Sequence, residues 1–376
     1  MNKKTKLSGI FMVVLALSLM ILLAACGTDK SNSAEQATNT PANKETEKAA
    51  TEATAEPVAT AAPAANPQPK EVRIGFQIIP NAELLVKALG LAEKKFPDVK
   101  VTWVPFDSGR DVNTAFAAGG IDLGLAGSVP VAIGLANELP YSVYFLHDII
   151  GDNEALAVRN SSNINSVKDL VGKKIAVPFG STTHFSLLSA LKQEGVDPAS
   201  VSILDLQPPD IVAAWQRKDI DGAFVWQPSL AKLVAEDGKI LISAKTLSEQ
   251  GIITADVGIV GRKFAEQYPQ FVQDYVTVLD EAVELYRTKP EEAAKAVAPL
   301  LSQPEADTLT QLHELVWLTS KEQQDTKYLG SDSSDSGFAN VLQQTGQFLV
   351  DQKTIPSAPI ASVYQQGIWN DSLKHE

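Results

Sequence analysis

Two short runs of the chain place hydroxyl groups and an indole ring at the ends of predicted strands. Residues 181–184 read Ser-Thr-Thr-His and open a predicted helix, and residues 226–228 read Trp-Gln-Pro after a buried strand. The first turn of a helix has unpaired N–H groups that bind small anions without a formal cation. We therefore expect Thr182 and Thr183 to bind an oxyanion through their hydroxyls, with His184 packing against or shaping the pocket.

Two serines begin other predicted helices. Ser128 follows a buried strand, and its hydroxyl is a further possible donor to an anion. Ser108 is followed three residues later by Asp111, which is typical of a capping box at a helix start. Each hydroxyl therefore has two interpretations, contact with a ligand or capping of its own helix.

Two carboxylates are candidate partners for a cationic group on the same ligand. Asp256 precedes an otherwise apolar strand, residues 257–260, where an unpaired carboxylate is costly. Glu83 lies at a predicted helix start, where it could contact the ligand or simply favour the helix dipole. Trp226 could form an apolar wall beside a short alkyl chain, stack on an amine, or belong to the ordinary core.

The chain has no sequence pattern of a catalytic or metal site. Its four histidines share no metal-ligand spacing such as HExxH; they are His147, His184, His313 and His375. There is neither a GxSxG nucleophile elbow nor a phosphate-binding P-loop, and the single cysteine is Cys26. We therefore expect no enzyme activity, no metal and no cofactor.

The candidate residues follow strands in two copies of one order of elements. Strands are predicted at 72–76, 101–104 and 121–126 in the first copy, and at 174–178, 201–204 and 220–225 in the second. Helices are predicted at 82–95, after Ser108, at 183–194, and at 211–217 with Asp210 as the cap. This alternation indicates parallel βαβ units, whose ligands bind beyond the carboxyl ends of the strands. We predict an α/β protein with two βαβ-based lobes.

Two segments are predicted to cross between the lobes and form a two-strand hinge, residues 144–159 and residues 256–261. A hinge of two crossings places the ligand in the cleft between the lobes. The predicted limits are 71–155 for the first lobe, 156–256 for the second, and 257–376 for the return and the C-terminal helices. We expect those helices to pack on the first sheet.

Residues 1–25 are typical of a lipoprotein signal peptide. Three lysines precede an apolar segment, residues 9–23, and small residues precede Cys26. Residues 26–70 are rich in Ala, Thr, Glu and Pro, a composition that favours a disordered tether. We predict lipidation of Cys26 and anchoring to the outer face of the cell membrane. With one cysteine, an intramolecular disulfide is excluded.

The charge of the chain argues against a nucleic-acid partner. The formal net charge is −13, and loss of the three leader lysines would make it about −16. A chain of this length has room for two lobes. We expect a monomer that binds no nucleic acid.

From Val72 to about Phe264, the chain resembles taurine-binding periplasmic proteins of the sulfonate and nitrate importer group. The resemblance is carried by residues 106–109 (Phe-Asp-Ser-Gly), 173–179 (Lys-Lys-Ile-Ala-Val-Pro-Phe), 181–184, 206–209 (Leu-Gln-Pro-Pro), 213–217, 219–223 and 225–226. It implies a periplasmic-binding-protein fold that binds taurine or a close aminosulfonate. An ABC permease and its ATPase would be the partners.

The resemblance also assigns sides of the site. It implies that Ser128, Thr182 and Thr183 lie toward the sulfonate. Glu83 and Asp256 would lie toward the amine, with Trp226 between the two ends; Ser108 and His184 complete the predicted set. The chain departs from the family pattern at Val129, where a serine is expected, and at Arg110, where a small residue is expected.

Several alternatives stay open. An alkanesulfonate or nitrate binder would have the same fold, but neither ligand carries a cation to pair with Asp256 and Glu83. A sensor module could present the same closed form to a membrane receptor. An enzyme related to pyrimidine-synthesis proteins of this fold would need metal or cofactor chemistry that the sequence does not indicate.

Overall fold

The structure is a computed structural model that describes residues 66–374. The predicted signal peptide, Cys26, most of the predicted tether and His375 lie outside the described residues. Within the described range, no helix is both long enough and apolar enough to cross a membrane.

Ten strands of the described chain form two five-stranded sheets. They are β1 (Glu71–Gln77), β2 (Lys100–Phe106), β3 (Leu123–Gly127), β4 (Tyr141–Ile149), β5 (Glu154–Arg159), β6 (Lys174–Val177), β7 (Ser202–Asp205), β8 (Gly222–Trp226), β9 (Gly238–Ser243) and β10 (Ala255–Gly261). The strand order is β2-β1-β3-β10-β4 in the first sheet and β7-β6-β8-β5-β9 in the second.

The two sheets have the same design. In the first, β1 pairs in parallel with β2 and β3, and β10 is antiparallel to β3 and β4. In the second, β6 pairs in parallel with β7 and β8, and β5 is antiparallel to β8 and β9. Each sheet thus has three adjacent parallel strands, followed on one side by an antiparallel strand and an edge strand. This repeat confirms the predicted two-lobed α/β fold.

Fifteen helices of the described chain surround these sheets. They are α1 (Ala82–Leu89), α2 (Leu91–Lys95), α3 (Gly109–Ala117), α4 (Ser128–Ala136), α5 (Thr182–Gln193), α6 (Pro208–Gln216), α7 (Ser229–Ala235), α8 (Ala244–Ser248), α9 (Arg262–Gln267), α10 (Pro269–Thr288), α11 (Pro290–Leu301), α12 (Glu305–Leu312), α13 (Ser320–Gln323), α14 (Gly337–Asp351) and α15 (Ala361–Gln366). Short 3₁₀ turns occur at 160–162, 167–170, 198–200, 333–335 and 370–373.

Two predicted helix boundaries are wrong. The helix predicted over 82–95 is two helices, because Gly90 adopts a left-handed conformation (φ 61°) that ends α1. The cap predicted at Asp210 is instead Gln207, since Pro208 occupies the first helical position and Asp210 lies within the first turn.

The first crossing between the lobes is shorter than predicted, and the return crossing lies earlier in the chain than predicted. Strand β4 belongs wholly to the first sheet and β5 to the second, so the first crossing is confined to residues 150–153. Strand β10 lies entirely in the first sheet, so the return crossing precedes it, at residues 249–254. The lobe limits at 155 and 256 remain predictions.

The C-terminal helices cover the first sheet, as predicted. Helix α10 buries Phe271, Tyr275 and Leu279 in the core that contains Ile74, Leu123 and other residues of the sheet. The second lobe has two smaller cores. One contains Leu187 and Leu191 of α5, and the other contains Ile211 and Trp215 of α6. Burying these side chains fixes the strand ends that face the cleft.

Candidate functional site

A small cavity lies between the lobes at the ends of four parallel strands. Its lining is Gln77, Ile79, Gly109, Gly127, Pro130, Asn153, Glu154, Ser181, Thr182, Trp226 and Asp256. The cavity volume is about 20 Å³, roughly the space that one or two waters need. The two lobes are in contact beside this cavity, so a ligand larger than one or two waters needs the lobes or side chains to move apart.

Three helices begin at this cavity. Gly109 is the first residue of α3, Gly127 is the N-cap of α4, and Ser181 is the N-cap of α5. Each helix start adds unpaired N–H groups and the positive end of a helix dipole. The convergence of three such ends favours an anionic group at this side of the cavity.

The hydroxyls at the start of α5 have separate roles. Ser181 Oγ accepts a hydrogen bond from the N–H of His184 at 3.1 Å, so it caps the helix. Thr183 is fully buried, with its Oγ1 2.8 Å from Ser181 Oγ. Thr182 lines the cavity and donates to Glu154 Oε1 at 2.5 Å. Of the two predicted threonine ligands, the structure brings only Thr182 into the cavity.

His184 lies behind the cavity wall. Its ring stacks on Phe179 with centroids 4.6 Å apart, and its Nδ1 accepts a hydrogen bond from the N–H of Gly180 at 3.2 Å. Burial lowers the pKa of His184 to about 4, so the imidazole is neutral near pH 7. The ring thus positions the loop that precedes α5, which agrees with a shaping role.

The two predicted serine ligands are bonded within the protein. Ser108 Oγ donates to Asp111 Oδ2 at 3.2 Å and makes no bond to the backbone of α3, so the predicted capping box is wrong. Gln207 of the second lobe donates to Ser108 Oγ at 3.3 Å. Ser128 Oγ accepts from the N–H of Ala255 at 3.3 Å and is fully buried. Neither serine lines the cavity.

Two buried carboxyl groups face the cavity, one from each lobe. Asp256 begins β10 in the first lobe, and Glu154 begins β5 in the second. Burial raises the pKa of Asp256 to about 7 and the pKa of Glu154 to about 8. Both groups would gain from a cationic partner, and within residues 66–374 neither makes an ion pair.

Glu83 does not line this cavity. It is fully buried in the first turn of α1, where Tyr275 Oη donates to Glu83 Oε1 at 3.3 Å. Burial raises the pKa of Glu83 to about 8. The structure therefore places the two predicted amine partners differently, with Asp256 in the cavity and Glu83 under α10.

Trp226 forms the apolar wall. It is 8% exposed and packs with Ile79 and Leu125, both of the first lobe. Gln77 Nε2 donates to the carbonyl of Leu125 at 3.2 Å and lies beside this wall. The Trp226 indole of the second lobe thus packs against apolar side chains of the first lobe.

Three residues that line the cavity are absent from the set predicted from the sequence: Glu154, Asn153 and Gln77. Glu154 has the same signal that identified Asp256, a carboxylate at the start of an otherwise apolar strand, Glu-Ala-Leu-Ala-Val. The amide side chains carry no such signal, because Asn and Gln are common in connections. In the described part of the chain, no three His, Cys, Asp or Glu side chains are arranged to hold a metal ion.

Comparisons with known proteins agree on one family. The model of the NMT1-like family matches residues 65–302. The taurine-binding periplasmic protein of Escherichia coli K12 is 38% identical over 272 residues, which cover 71% of this chain and 81% of that protein. The putative aliphatic sulfonates-binding protein of the same strain is 30% identical over 248 residues, 66% of this chain and 76% of that protein.

Solved structures share the fold. The alkanesulfonate-binding protein SsuA from Xanthomonas axonopodis pv. citri, bound to MOPS, has a TM-score of 0.67 at 24% identity, over 81% of this chain and 99% of that chain. The desulfurization enzyme DszB has a TM-score of 0.59 at 15% identity, over 81% of this chain and 97% of that chain. The fold alone therefore does not separate a binding protein from an enzyme.

Proposed function

The chain belongs to the NMT1-like family, and from this premise we propose that it is an extracytoplasmic solute-binding protein that delivers taurine or a close aminosulfonate to an ABC permease and its ATPase. Two of its relatives are a taurine-binding periplasmic protein and a putative aliphatic sulfonates-binding protein of Escherichia coli K12. The proposed role is binding and release without a chemical reaction.

One observation carries the proposal. The same cavity is lined by the starts of α3, α4 and α5 and by two buried carboxyl groups, Asp256 and Glu154. Helix starts favour an anion and the carboxyls favour a cation. A zwitterion with a short chain between its charges satisfies both ends, and taurine has this structure.

The proposed pose follows from the lining. The sulfonate lies at the three helix starts and accepts hydrogen bonds from their N–H groups, while the Thr182 hydroxyl donates to Glu154 beside it. The ammonium lies between Asp256 and Glu154, and the two methylene groups lie against Trp226. Because Asp256 and Glu154 belong to different lobes, an ammonium between them stabilises the closed form more than the open one.

An alkanesulfonate binder is the second candidate. The 30% identity to a putative aliphatic sulfonates-binding protein favours it. The two candidates differ at the cation, because an alkanesulfonate leaves Asp256 and Glu154 without a partner.

The test is calorimetric titration of the protein with taurine, ethanesulfonate, β-alanine and sulfate. We expect tight binding of taurine and weak binding of the other three, because each lacks one of the two charges or replaces the sulfonate. Tighter binding of ethanesulfonate than of taurine would favour the alkanesulfonate candidate. Absence of binding to every sulfonate would reject the proposal.

The lipid anchor is part of the same proposal. A signal peptide ending before Cys26 and a polar segment of about 40 residues suit a folded body held at a membrane surface. We expect the wild-type protein in the membrane fraction as a monomer and Cys26→Ser in the soluble fraction. Recovery of both proteins in the soluble fraction would argue against lipidation.

A further inference from the structure

The first lobe holds two carboxyl side chains directly opposite each other on neighbouring strands. Asp148 of β4 and Asp256 of β10 are register partners in this antiparallel pair. Asp148 is 0% exposed and Asp256 is 6% exposed. Like charges in this arrangement destabilise a sheet. The pair therefore requires a proton or a cation.

No hydrogen bond relieves Asp148. Both of its carboxyl oxygens are buried and have no partner among the described residues. A buried carboxylate without partners costs several kcal/mol, whereas its neutral form needs only a hydrogen-bond acceptor. Asp256, across the strand pair, carries such an acceptor.

The surroundings of the pair add negative charge and no positive charge. Burial raises the pKa of Asp148 well above its usual range, and the carboxyl groups of Asp256 and of Glu154, on β5, raise it further. His147 is the neighbour of Asp148 on β4, and burial lowers its pKa to about 3, so it is neutral. Within residues 66–374, no ion pair includes Asp148.

The two nearby segments, around Glu314 and around Asp152, do not supply an unpaired cation either. Glu314 lies on the segment whose Val316 bridges Ile149 at the end of β4, and it accepts a hydrogen bond from Gln227 at 3.1 Å. Its pKa is raised, mainly by burial. Asp152, in the first crossing, pairs with Lys245 of the second lobe at 3.4 Å.

We propose that Asp148 and Asp256 share one proton, with Asp148 as the protonated member that donates a hydrogen bond to the Asp256 carboxylate. The proton stays on Asp148 when the ligand binds, and Asp256 remains an acceptor for the ammonium. Asp148 is then a positioning residue. It orients Asp256 and keeps the negative charge of the site low enough to suit a ligand with a single positive charge.

The identity of the ligand rests on the proposed function, and Asp148→Asn tests the state of Asp148. The asparagine amide is neutral and can donate a hydrogen bond as the protonated carboxyl does. We expect the D148N protein to bind taurine within about threefold of wild type, whereas Asp148→Ala loses the donor and weakens binding about tenfold. Asp256→Asn, the matched variant, should weaken taurine binding by more than about tenfold, because it removes the negative charge that pairs with the ammonium.

Two calorimetric results would overturn the proposal. If D148N weakens taurine binding as much as D256N, Asp148 is a second carboxylate that contacts the ammonium. If D148A binds taurine as tightly as wild type, Asp148 does not orient Asp256. Ethanesulfonate is the control ligand, since it has no ammonium and should bind all three variants and the wild type alike.

A second measurement needs no ligand. A carboxyl that holds its proton more tightly in the folded state stabilises the fold at low pH, and this contribution is lost as pH rises through the folded-state pKa. We expect the Tm of wild type to fall as pH rises above about 4, the usual pKa of an aspartic acid in an unfolded chain, and the Tm of D148N to fall less, because Asn does not titrate. Equal falls would show that Asp148 is not protonated.

The two measurements separate this inference from the proposed function. If wild type binds no sulfonate, the proposed function fails, and the two thermal profiles still decide whether Asp148 carries a proton. If wild type binds taurine but D148N behaves like D256N, the proposed function stands and the shared proton is rejected.

Discussion

Arg110 Nη1 lies 2.8 Å from Asp205 Oδ2, and this ion pair joins the two lobes across the cleft. Arg110 is in the first turn of α3 in the first lobe, and Asp205 ends β7 in the second. The other carboxylate oxygen of Asp205 accepts from the N–H of Phe179 at 2.9 Å, so the carboxylate is held in place. From the sequence, Arg110 is known only as a departure from the family pattern. In the structure it forms the ion pair with Asp205, which requires the two lobes to be close together.

Arg110→Ala should weaken ligand binding slightly by destabilising the closed form. Both side chains are partly exposed, 43% and 39%, and such pairs contribute about 0–1 kcal/mol. We expect an increase in the Kd for taurine of up to about fivefold, larger at low salt because screening weakens exposed ion pairs. Titration calorimetry at two ionic strengths measures the effect.

Arg217→Ala is the matched control for that variant. Arg217 pairs with Asp219 at 2.7 Å within the second lobe, and both side chains are exposed. Its loss should leave the Kd and its salt dependence unchanged. If the two arginine variants behave alike, the Arg110–Asp205 pair does not contribute to closure.

Gly127 marks a close approach between the lobes. A Cβ at this position would lie 2.7 Å from Thr182 Cγ2, closer than real Cβ contacts come. Gly127→Ala should therefore hold the lobes apart and raise the Kd for taurine about tenfold, roughly 1.4 kcal/mol. Gly261→Ala is the control, because its nearest neighbour would be at 3.6 Å. An unchanged Kd for G127A would mean that Thr182 moves aside without cost.

The elements and the repeat could be predicted from the sequence because local patterns determine them. Strands such as β8, Gly-Ala-Phe-Val-Trp, are buried throughout and read as continuous apolar runs. The placement of β10 in the first sheet and β5 in the second could not be predicted, since strand order depends on pairing between distant segments. The positions of the two crossings, 150–153 and 249–254, follow from that order.

A site residue could be predicted from the sequence where burying its charged side chain would be unfavourable without a ligand to pair with it. Asp256 is such a residue, because its carboxylate begins an otherwise apolar strand. It lines the cavity with Thr182 and Trp226. Burying the Glu83 carboxylate is unfavourable too, but a tyrosine of α10, nearly 200 residues later in the chain, satisfies one of its oxygens. No local pattern around Glu83 contains that contact, so sequence alone could not separate the two carboxyls.

Asp256→Ala tests the cationic end of the proposed ligand. Losing one partner of a buried charge pair costs about 2–5 kcal/mol, so taurine affinity should fall roughly 30-fold or more. Ethanesulfonate, which has no ammonium, should bind nearly as tightly as before. Titration of both ligands measures the difference. A change of less than about threefold for taurine would remove the amine role of Asp256.

Glu83 should affect stability more than ligand binding. Burial raises the pKa of its carboxyl from 4.5 to about 8 in the folded protein. The folded state therefore binds a proton that the unfolded chain releases above about pH 4.3. Its contribution to stability is complete below that pH and is lost as pH rises toward about 8, so the Tm should be higher at pH 5 than at pH 8.5.

Glu83→Gln removes this titration while keeping a neutral side chain of the same shape. We expect its Tm to change less between pH 5 and pH 8.5 than the Tm of wild type, because the amide binds no proton in either state. Taurine affinity should fall less in E83Q than in D256N, since Glu83 does not line the cavity. Glu281→Gln, an exposed change on α10, is the control and should follow the wild-type profile. If E83Q and wild type have the same pH dependence, Glu83 does not hold a proton in the folded protein.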